Sequence, residues 1–568
     1  MYITSVPNRT SPPAILLRES YREGKKVRTR TLANLSSLSP QQIEGMRRAL
    51  RGDNAVGLGP EMQKIRDRAH GAVDAVSMVI RRLGLERIID RKPSRQRDLV
   101  IAMLVSRIID AQSKLATTRA LQTTTLLEDR GITDTTEDDL YEAMDWLLER
   151  QDHIEMKLAT RHLRNDGLVL YDLSSSYFEG QTCPLAKFGH NRDRKKGKLQ
   201  VNYGLLTDER GCPVAIQVYE GNTSDSKTLN DQVDRVQNTF GVESFVMVGD
   251  RGMISQKQID VLRERAGLAW ITALKSGQIG SLRKSGALPI EQFDEANLLP
   301  VKHDKFEGER LIACKNHALE KLRAHKRQNL IDSTRNELDQ IQKIVANGHL
   351  TGKGAIGVRI GKVVNKYKVA KHFALEIEDT RFSYVVREDR VAEEAALDGL
   401  YVIRTSLSQE QASNEQAVRH YKKLANVERA FRSMKTVDLK IRPIHHRLEG
   451  RVRGHVFLCM LAFYIEWHMR EALRPVLFSD EDQEAKNSRD PVAPAARSKS
   501  AQHKCATKEL ADGAPVHSFR TLLTDLATIT RSTFAPSQTS ESAQTLTMTT
   551  LPSSQQKRVL ELLDRIAV

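Results

Sequence analysis

The chain has 568 residues, too many for one ordinary core, so two to four domains are expected. A formal net charge of +16 and a pI near 9.5 favour a polyanionic partner, and aromatic residues at 5% make stacking on single strands a poor main mode of binding. Its five cysteines are scattered without a CxxC pair, which argues against both a zinc site and a disulfide framework and fits a reducing cytosol.

The first thirty residues are rich in Pro and Arg and hold no continuous apolar stretch, so no signal peptide is expected. Ala14–Leu32 alternates as a hairpin about Arg22-Glu23-Gly24-Lys25, and Ser39-Pro40-x-Gln42 opens a helix with Pro at its first position. Together they make an N-terminal hairpin-and-helix segment, 1–60. From about Val73 to Asp166 the pattern is helical: Arg95–Ser113 carries Leu99, Met103, Ile108 and Ile109, and Glu137–Leu163 carries Leu140, Met144, Leu147 and Leu148. The 61–166 segment reads as a DNA-binding domain or as a scaffold packed on a core, without a helix-turn-helix signature to decide.

Gly167 begins the stretch on which the fold depends. Gly167-Leu168-Val169-Leu170-Tyr171-Asp172 and Phe245-Val246-Met247-Val248-Gly249-Asp250 are short apolar runs of strand composition, each stopping at a carboxylate. Gln200–Leu206 and Pro213–Tyr219 are strands joined by a polar turn. Behind Gly221-Asn222-Thr223-Ser224-Asp225 a helix carries Leu229, Val233, Val236 and Phe240, with Asp225 expected as its cap. Ser255-x-x-Gln258 opens another helix, and Leu268–Leu274 is a fifth strand. Strand, strand, strand, helix, strand matches the first half of a ribonuclease-H-like sheet, with a helical crossover returning parallel to an earlier strand. Two strand-end Asp side by side repel each other and need protons or divalent cations. Residues 167–275 are the first part of an α/β core, a mixed sheet flanked by helices.

Residues 276–400 change character and read as a β-containing insertion, with one long helix near Leu319–Val345, a Lys-rich segment and alternating strands through Phe373 and Tyr384. Gly352-Lys353-Gly354-Ala355-Ile356-Gly357 fits GxGxxG, but no apolar strand precedes it, so a flexible turn is expected rather than a dinucleotide loop. The second part of the core, 401–478, opens with a strand at Tyr401–Thr405 and continues as a helix over about Asn414–Met434. Tyr421, Leu424, Glu428, Phe431 and Lys435 there fall at steps of three or four, on one face. The apolar run Val456–Ile465 is about half of the roughly 20 residues that a spanning helix needs, so it reads as a core helix and no membrane is expected. Residues 479–516, rich in Ser, Ala, Pro and Lys, read as a disordered linker, and 517–568 as C-terminal helices over Phe519–Arg531 and Ser553–Ile566. His445-His446 and Glu449 match no HExxH spacing, so hydrogen bonding or phosphate contact is expected of them.

Asp172, Asp250 and Glu428 facing one another make an oxygen-rich site suited to Mg²⁺ or Mn²⁺. Tyr421, Glu428 and Lys435 stand at the spacings of Y-x-x-R-x-x-x-E-x-x-x-x-x-x-K. Together with Leu170-Tyr171-Asp172, Gly221-Asn222-Thr223-Ser224-Asp225 and Val248-Gly249-Asp250-Arg251-Gly252, this pattern resembles the DDE transposases of bacterial insertion sequences, over roughly Gly167–Trp467. The family's Arg is Leu424 in this chain, and Arg429, Arg432 or Lys423 is expected to supply that charge. There is no Trp between Trp270 and Trp467 to act as a platform for a flipped base, leaving Tyr367, Phe373 or Tyr384 to stand in.

The resemblance implies a cut-and-paste DNA transposase that binds the element's terminal inverted repeats and transfers them to target DNA. It implies Asp172, Asp250 and Glu428 as catalytic residues and ligands of two Mg²⁺ or Mn²⁺ ions, phosphodiester cleavage and strand transfer, a homodimer on double-stranded DNA, and a cytoplasmic, nucleoid-associated bacterial protein. Expected DNA contacts are Tyr421, Lys435, Arg429 and Arg432, with His190, Arg192, Arg194 and Lys195 in the basic loop His190–Lys198, which otherwise is a solvated hairpin tip. Two alternatives share part of this pattern: a ribonuclease-H-like nuclease without strand transfer, and a silent, transposase-derived DNA-binding protein. The intact acids count against the second.

Overall fold

The apolar run that opens at Gly167 is buried along most of its length, and an eight-stranded mixed sheet is built around it. The computed structural model describes residues 1–8, 12–51, 62–193, 195–288, 290–294, 296–536 and 545–567. The strands of this sheet are β1 (Gly167–Tyr177), β2 (Gln200–Thr207), β3 (Pro213–Glu220), β4 (Phe245–Val248), β5 (Leu268–Ala273), β6 (Leu298–Val301), β7 (Arg310–Lys315) and β8 (Leu400–Thr405). Their spatial order is β6-β7-β8-β5-β4-β1-β2-β3. β1, β2 and β3 form an antiparallel meander, β4 returns parallel to β1, and β5 lies parallel to β4. That 3-2-1-4-5 order, with only the last two strands parallel to the first, is the ribonuclease-H-like arrangement.

Each link in the sheet has a local cause. β2 is buried at every position because both its faces are covered, and its Gly204 faces the ring of Tyr171. A Cβ there would stand 2.6 Å from Tyr171 Cε2, so only glycine lets the buried tyrosine lie flat across the strand pair. The crossover from β3 to β4 is made by α1 (Asp225–Asp234), and that from β4 to β5 by α2 (Gln256–Arg263). After β8 the chain forms α3 (Asn414–Lys422) and α4 (Leu424–Arg432), then α5 (Glu449–Ala472). α5 is the core helix expected from its apolar run; it packs on β3 and on the helices Arg95–Ile109 and Glu137–Leu148. No helix among the described residues is long and apolar enough to cross a membrane.

The chain divides into two compact units. One comprises Met1–Ala69 and Ile529–Leu551 and holds two three-stranded sheets. The first sheet contains the expected hairpin, Ala14–Glu23 with Lys26–Asn34, and the Ser39 capping box starts the helix Pro40–Leu50 as expected. The second joins Thr530–Pro536 to Met62–Ala69 and Leu546–Thr549. The other unit comprises His70–Thr528 and Pro552–Val568 and contains the eight-stranded sheet.

Several elements differ from the pattern in the sequence. β1 does not stop at Asp172 but runs five residues further, because Leu173–Ser176 stay buried against β2. The 137–163 helix is two, Glu137–Leu148 and Gln151–His162. Within 276–400, β6 and β7 extend the main sheet through β8 beside a cluster around Leu282, Phe293 and Leu311, and residues 317–386 carry a further core around Leu338, Ile356 and Phe382. The GxGxxG segment is the start of the helix Lys353–Tyr367, not a flexible turn. Residues 479–516 are not disordered. They carry the helices Gln483–Ser488 and Lys499–Thr507, and Val492, Ala501, Leu510 and Val516 are buried. The helix expected over Phe519–Arg531 ends at Leu526, since Thr530 and Arg531 belong to a strand.

Candidate active site

β1 and β4 pair in parallel with Leu170 opposite Val248. Two residues onward come Asp172, still within β1, and Asp250, just past the end of β4, on paths set about 4.8 Å apart by the strand spacing. Main-chain donors fix one oxygen of each: Leu173 N donates to Asp172 Oδ1 at 2.8 Å, and Gly252 N and Met253 N donate to Asp250 Oδ1 at 2.7 and 2.9 Å. α4 supplies the third acid. It buries Leu424, Val427 and Phe431, with the Phe431 ring edge-on to Tyr203 of β2 at 5.8 Å, and this anchorage leaves Glu428 at the solvent edge of the buried stripe.

All three carboxylates line one cleft of about 410 Å³, together with Arg192, Asp193, Asp225, Arg432, Lys435 and Arg442. A second hollow of about 360 Å³ shares the three acids and adds Arg251, Tyr421 and Leu424. Burial pushes the Asp172 carboxyl up to about 7, and the charges of Asp250 and Glu428 push the same way. The donors are all hard oxygens from three separate segments, which is the chemistry Mg²⁺ and Mn²⁺ require. The residues fit such ions.

A ring of cations surrounds the acids, and much of it is paired. Lys435 Nζ lies 2.6 Å from Asp193 Oδ1 and 3.2 Å from Ser174 Oγ, and the Arg442 guanidinium pairs with the same Asp193 oxygen. The Asp193 side chain is only 2% exposed, and its other oxygen accepts from Tyr177 N at 3.0 Å. Arg192 Nη2 pairs with Asp225 Oδ1 at 2.6 Å. Burial lowers the Lys435 ammonium from its usual range, against the pull of Asp193. Burial first, then Asp250, raises the Tyr421 phenol to about 12.

The expected DNA-contact residues fall into three groups. Arg192, Arg432 and Lys435 line the first cleft and Tyr421 lines the second, although Lys435 is buried rather than on the surface. Arg429, His190 and Lys195 are exposed away from the acids, with Lys195 Nζ 5.8 Å from the centre of the Tyr177 ring. Arg194 lies outside the described residues. Of the charges expected to replace the family's Arg, Arg432 reaches the cleft, whereas Lys423 turns to Glu209 at 2.7 Å.

Other expectations resolve differently. Asp225 is not the cap of α1 but its first residue, after Ser224, and its carboxylate points to Arg192. The His446 ring lies tilted beside His455 and edge-on to Tyr141, and Glu449 pairs with Arg453. Tyr367 donates to Glu337 at 2.5 Å and Phe373 is buried, which leaves neither as an open platform for a base. Sequence reading missed Asp193, Arg442 and Arg251. The signal for Arg251 was its place directly after Asp250; for Asp193 it was an acid alone inside a basic loop.

The Transposase DDE domain family matches residues 177–465, half of the chain, and the IS1634 family transposase N-terminal domain matches residues 3–58. No curated protein matches the chain. Two solved structures are similar at low level. One is a piggyBac transposase synaptic complex with hairpin DNA, at 10% identity and TM-score 0.32, over 80% of this chain and 77% of that one. The other is a Mos1 transposase paired-end complex with a left transposon end, at 13% identity and TM-score 0.15, over 34% and 62%.

Proposed function

The chain belongs to the transposases with a DDE domain, and from that premise we propose that the Asp172–Asp250–Glu428 cleft cuts DNA at the ends of an insertion sequence and joins the freed ends to a target. The observation that carries this reading is the meeting of three acids, from one strand, the segment just after its parallel neighbour and one helix, in a single cleft rimmed by arginines.

Two divalent ions bound by these acids would supply Lewis-acid charge to the scissile phosphate and lower the pKa of the attacking water or 3′-hydroxyl. The three side chains hold charge in place, and the main-chain donors to Asp172 and Asp250 keep them aligned at no reorganisation cost. Asp172 must lose the proton that its crowded site favours before it can act as a ligand. Arg432 and Arg192 position the backbone from the cleft rim, Tyr421 and Arg251 from the adjoining hollow, and Arg429, His190 and Lys195 extend the cationic path beyond it. Attack by water or a DNA hydroxyl requires no protein nucleophile, so one site serves both nicking and joining. A homodimer bridging two DNA ends completes the proposal.

The test is to incubate the protein with DNA carrying its own flanking inverted repeats and Mg²⁺, then map cut and joined ends. Cuts at the repeat boundaries with 3′-ends joined to target are expected. Cutting without joined products would replace this reading with a nuclease, and binding without cutting would leave a silent DNA-binding protein.

A further inference from the structure

Outside the acidic cleft, His162, Cys212 and His468 converge, each offering one donor atom, and these atoms lie within 4.8 Å of one another. Cys212 Sγ is 4.0 Å from His162 Nε2 and 3.9 Å from His468 Nε2. Zinc bonds of about 2.3 Å to sulfur and about 2.0–2.1 Å to nitrogen put such donors roughly 3.6–3.8 Å apart in tetrahedral to trigonal geometry. The two sulfur–nitrogen spacings therefore need to close by only a few tenths of an ångström. We propose that these three side chains form a transition-metal site for Zn²⁺, separate from the acidic cleft and built of soft and borderline donors that Mg²⁺ does not favour.

The surroundings are those of a built site. Cys212 is fully buried and His468 nearly so, while His162 is half-buried and gives solvent a way in. Each imidazole turns one ring nitrogen toward the Cys212 sulfur. Tyr464 Oη is hydrogen-bonded to His162 Nε2 at 3.0 Å, a contact that an ion at that nitrogen would replace. Arg210 lies 3.4 Å from His162 Nδ1, but its charge is offset by Asp208, which it contacts at 2.8 Å. On binding, the sulfur–metal bond replaces the Cys212 S–H bond and the proton passes to solvent.

The ligands come from three places: the end of the Gln151–His162 helix, the turn between β2 and β3, and the last turns of α5. An ion there ties the preceding helical segment and the core helix to the sheet. Spacings of 50 and 256 residues explain why no cysteine or histidine motif announced it.

The full-length protein, purified without chelator, is expected to carry about one equivalent of zinc by elemental analysis. X-ray absorption at the zinc edge should show one sulfur and two nitrogen neighbours, and Co²⁺ exchanged for zinc should give a thiolate charge-transfer band. Cys212→Ser and His468→Gln should each lose the metal at least tenfold, and Asp172→Asn with Asp250→Asn should keep it. Absence of zinc together with no thiolate band on Co²⁺ titration overturns the proposal, as does a zinc shell of oxygens only. The spectra of the unaltered protein decide the matter even where a ligand variant misfolds.

Discussion

Lys435 stands seven residues after Glu428, where a regular helix would return it to the same face. Instead the chain widens by one turn at Ser433–Val437, and the ammonium enters the sheet edge between Asp193 and Ser174. Lys435→Ala leaves Asp193 with Arg442 as its remaining cation and should cost about 1–3 kcal/mol in urea denaturation, much of it recovered when Asp193→Asn is added. The same variant should bind terminal DNA more weakly with a salt slope reduced by about one; an unchanged slope would mean that Lys435 serves the fold and not the DNA. Leu424, where the family has Arg, lines the hollow beside the acids. Leu424→Arg should tighten terminal binding and steepen the salt slope by about one. Fluorescence anisotropy at several salt concentrations reads both, and a flat response would place Leu424 off the DNA path.

β2 and the helix that follows β8 show what was legible from local pattern and what was not. Apolar runs bounded by turns gave β2 to β5 nearly at their true limits, because burial on both faces imprints itself on consecutive residues, whereas β1 runs five residues past the stop expected at Asp172. The placement of β6 and β7 was not legible, since pairing to β8 across some ninety residues leaves no local mark. Likewise the three acids could be found from strand ends and helical spacing, but not Asp193 and Arg442, which meet Lys435 only through tertiary folding. A serine- and lysine-rich composition hid the ordered 479–516 segment, where a few buried side chains suffice. Gly204→Ala is the element-scale test: the added Cβ meets the Tyr171 ring, one residue from Asp172. It should cost about 1–3 kcal/mol and lower cleavage, and an unperturbed melting temperature would refute the close approach.

Across the whole molecule, buried histidines make stability depend on acid. The His446 and His455 ring centres lie 4.8 Å apart with their planes tilted, and burial followed by nearby cations holds both below the ordinary range, His446 down to about 3. The unfolded chain takes up protons near pH 6.5 that the folded one refuses. Their contribution is thus full above pH 6.5 and is lost as pH falls below it, by about 1.4 kcal/mol per pH unit for each. Urea denaturation between pH 7.5 and 5 should show the decline, shallower in a His446→Asn, His455→Asn double variant; equal slopes would contradict it. At this scale too, helices between Gly71 and Leu148 pack with α5, which packs in turn on β3 of the sheet whose β1 carries Asp172. The most direct measurement is Mg²⁺-dependent cleavage of terminal DNA by Asp172→Asn, Asp250→Asn and Glu428→Gln, with DNA binding recorded in parallel. Each should lose cleavage by at least a thousandfold while binding stays within a few-fold, and near-normal cutting by any one of them would contradict the site.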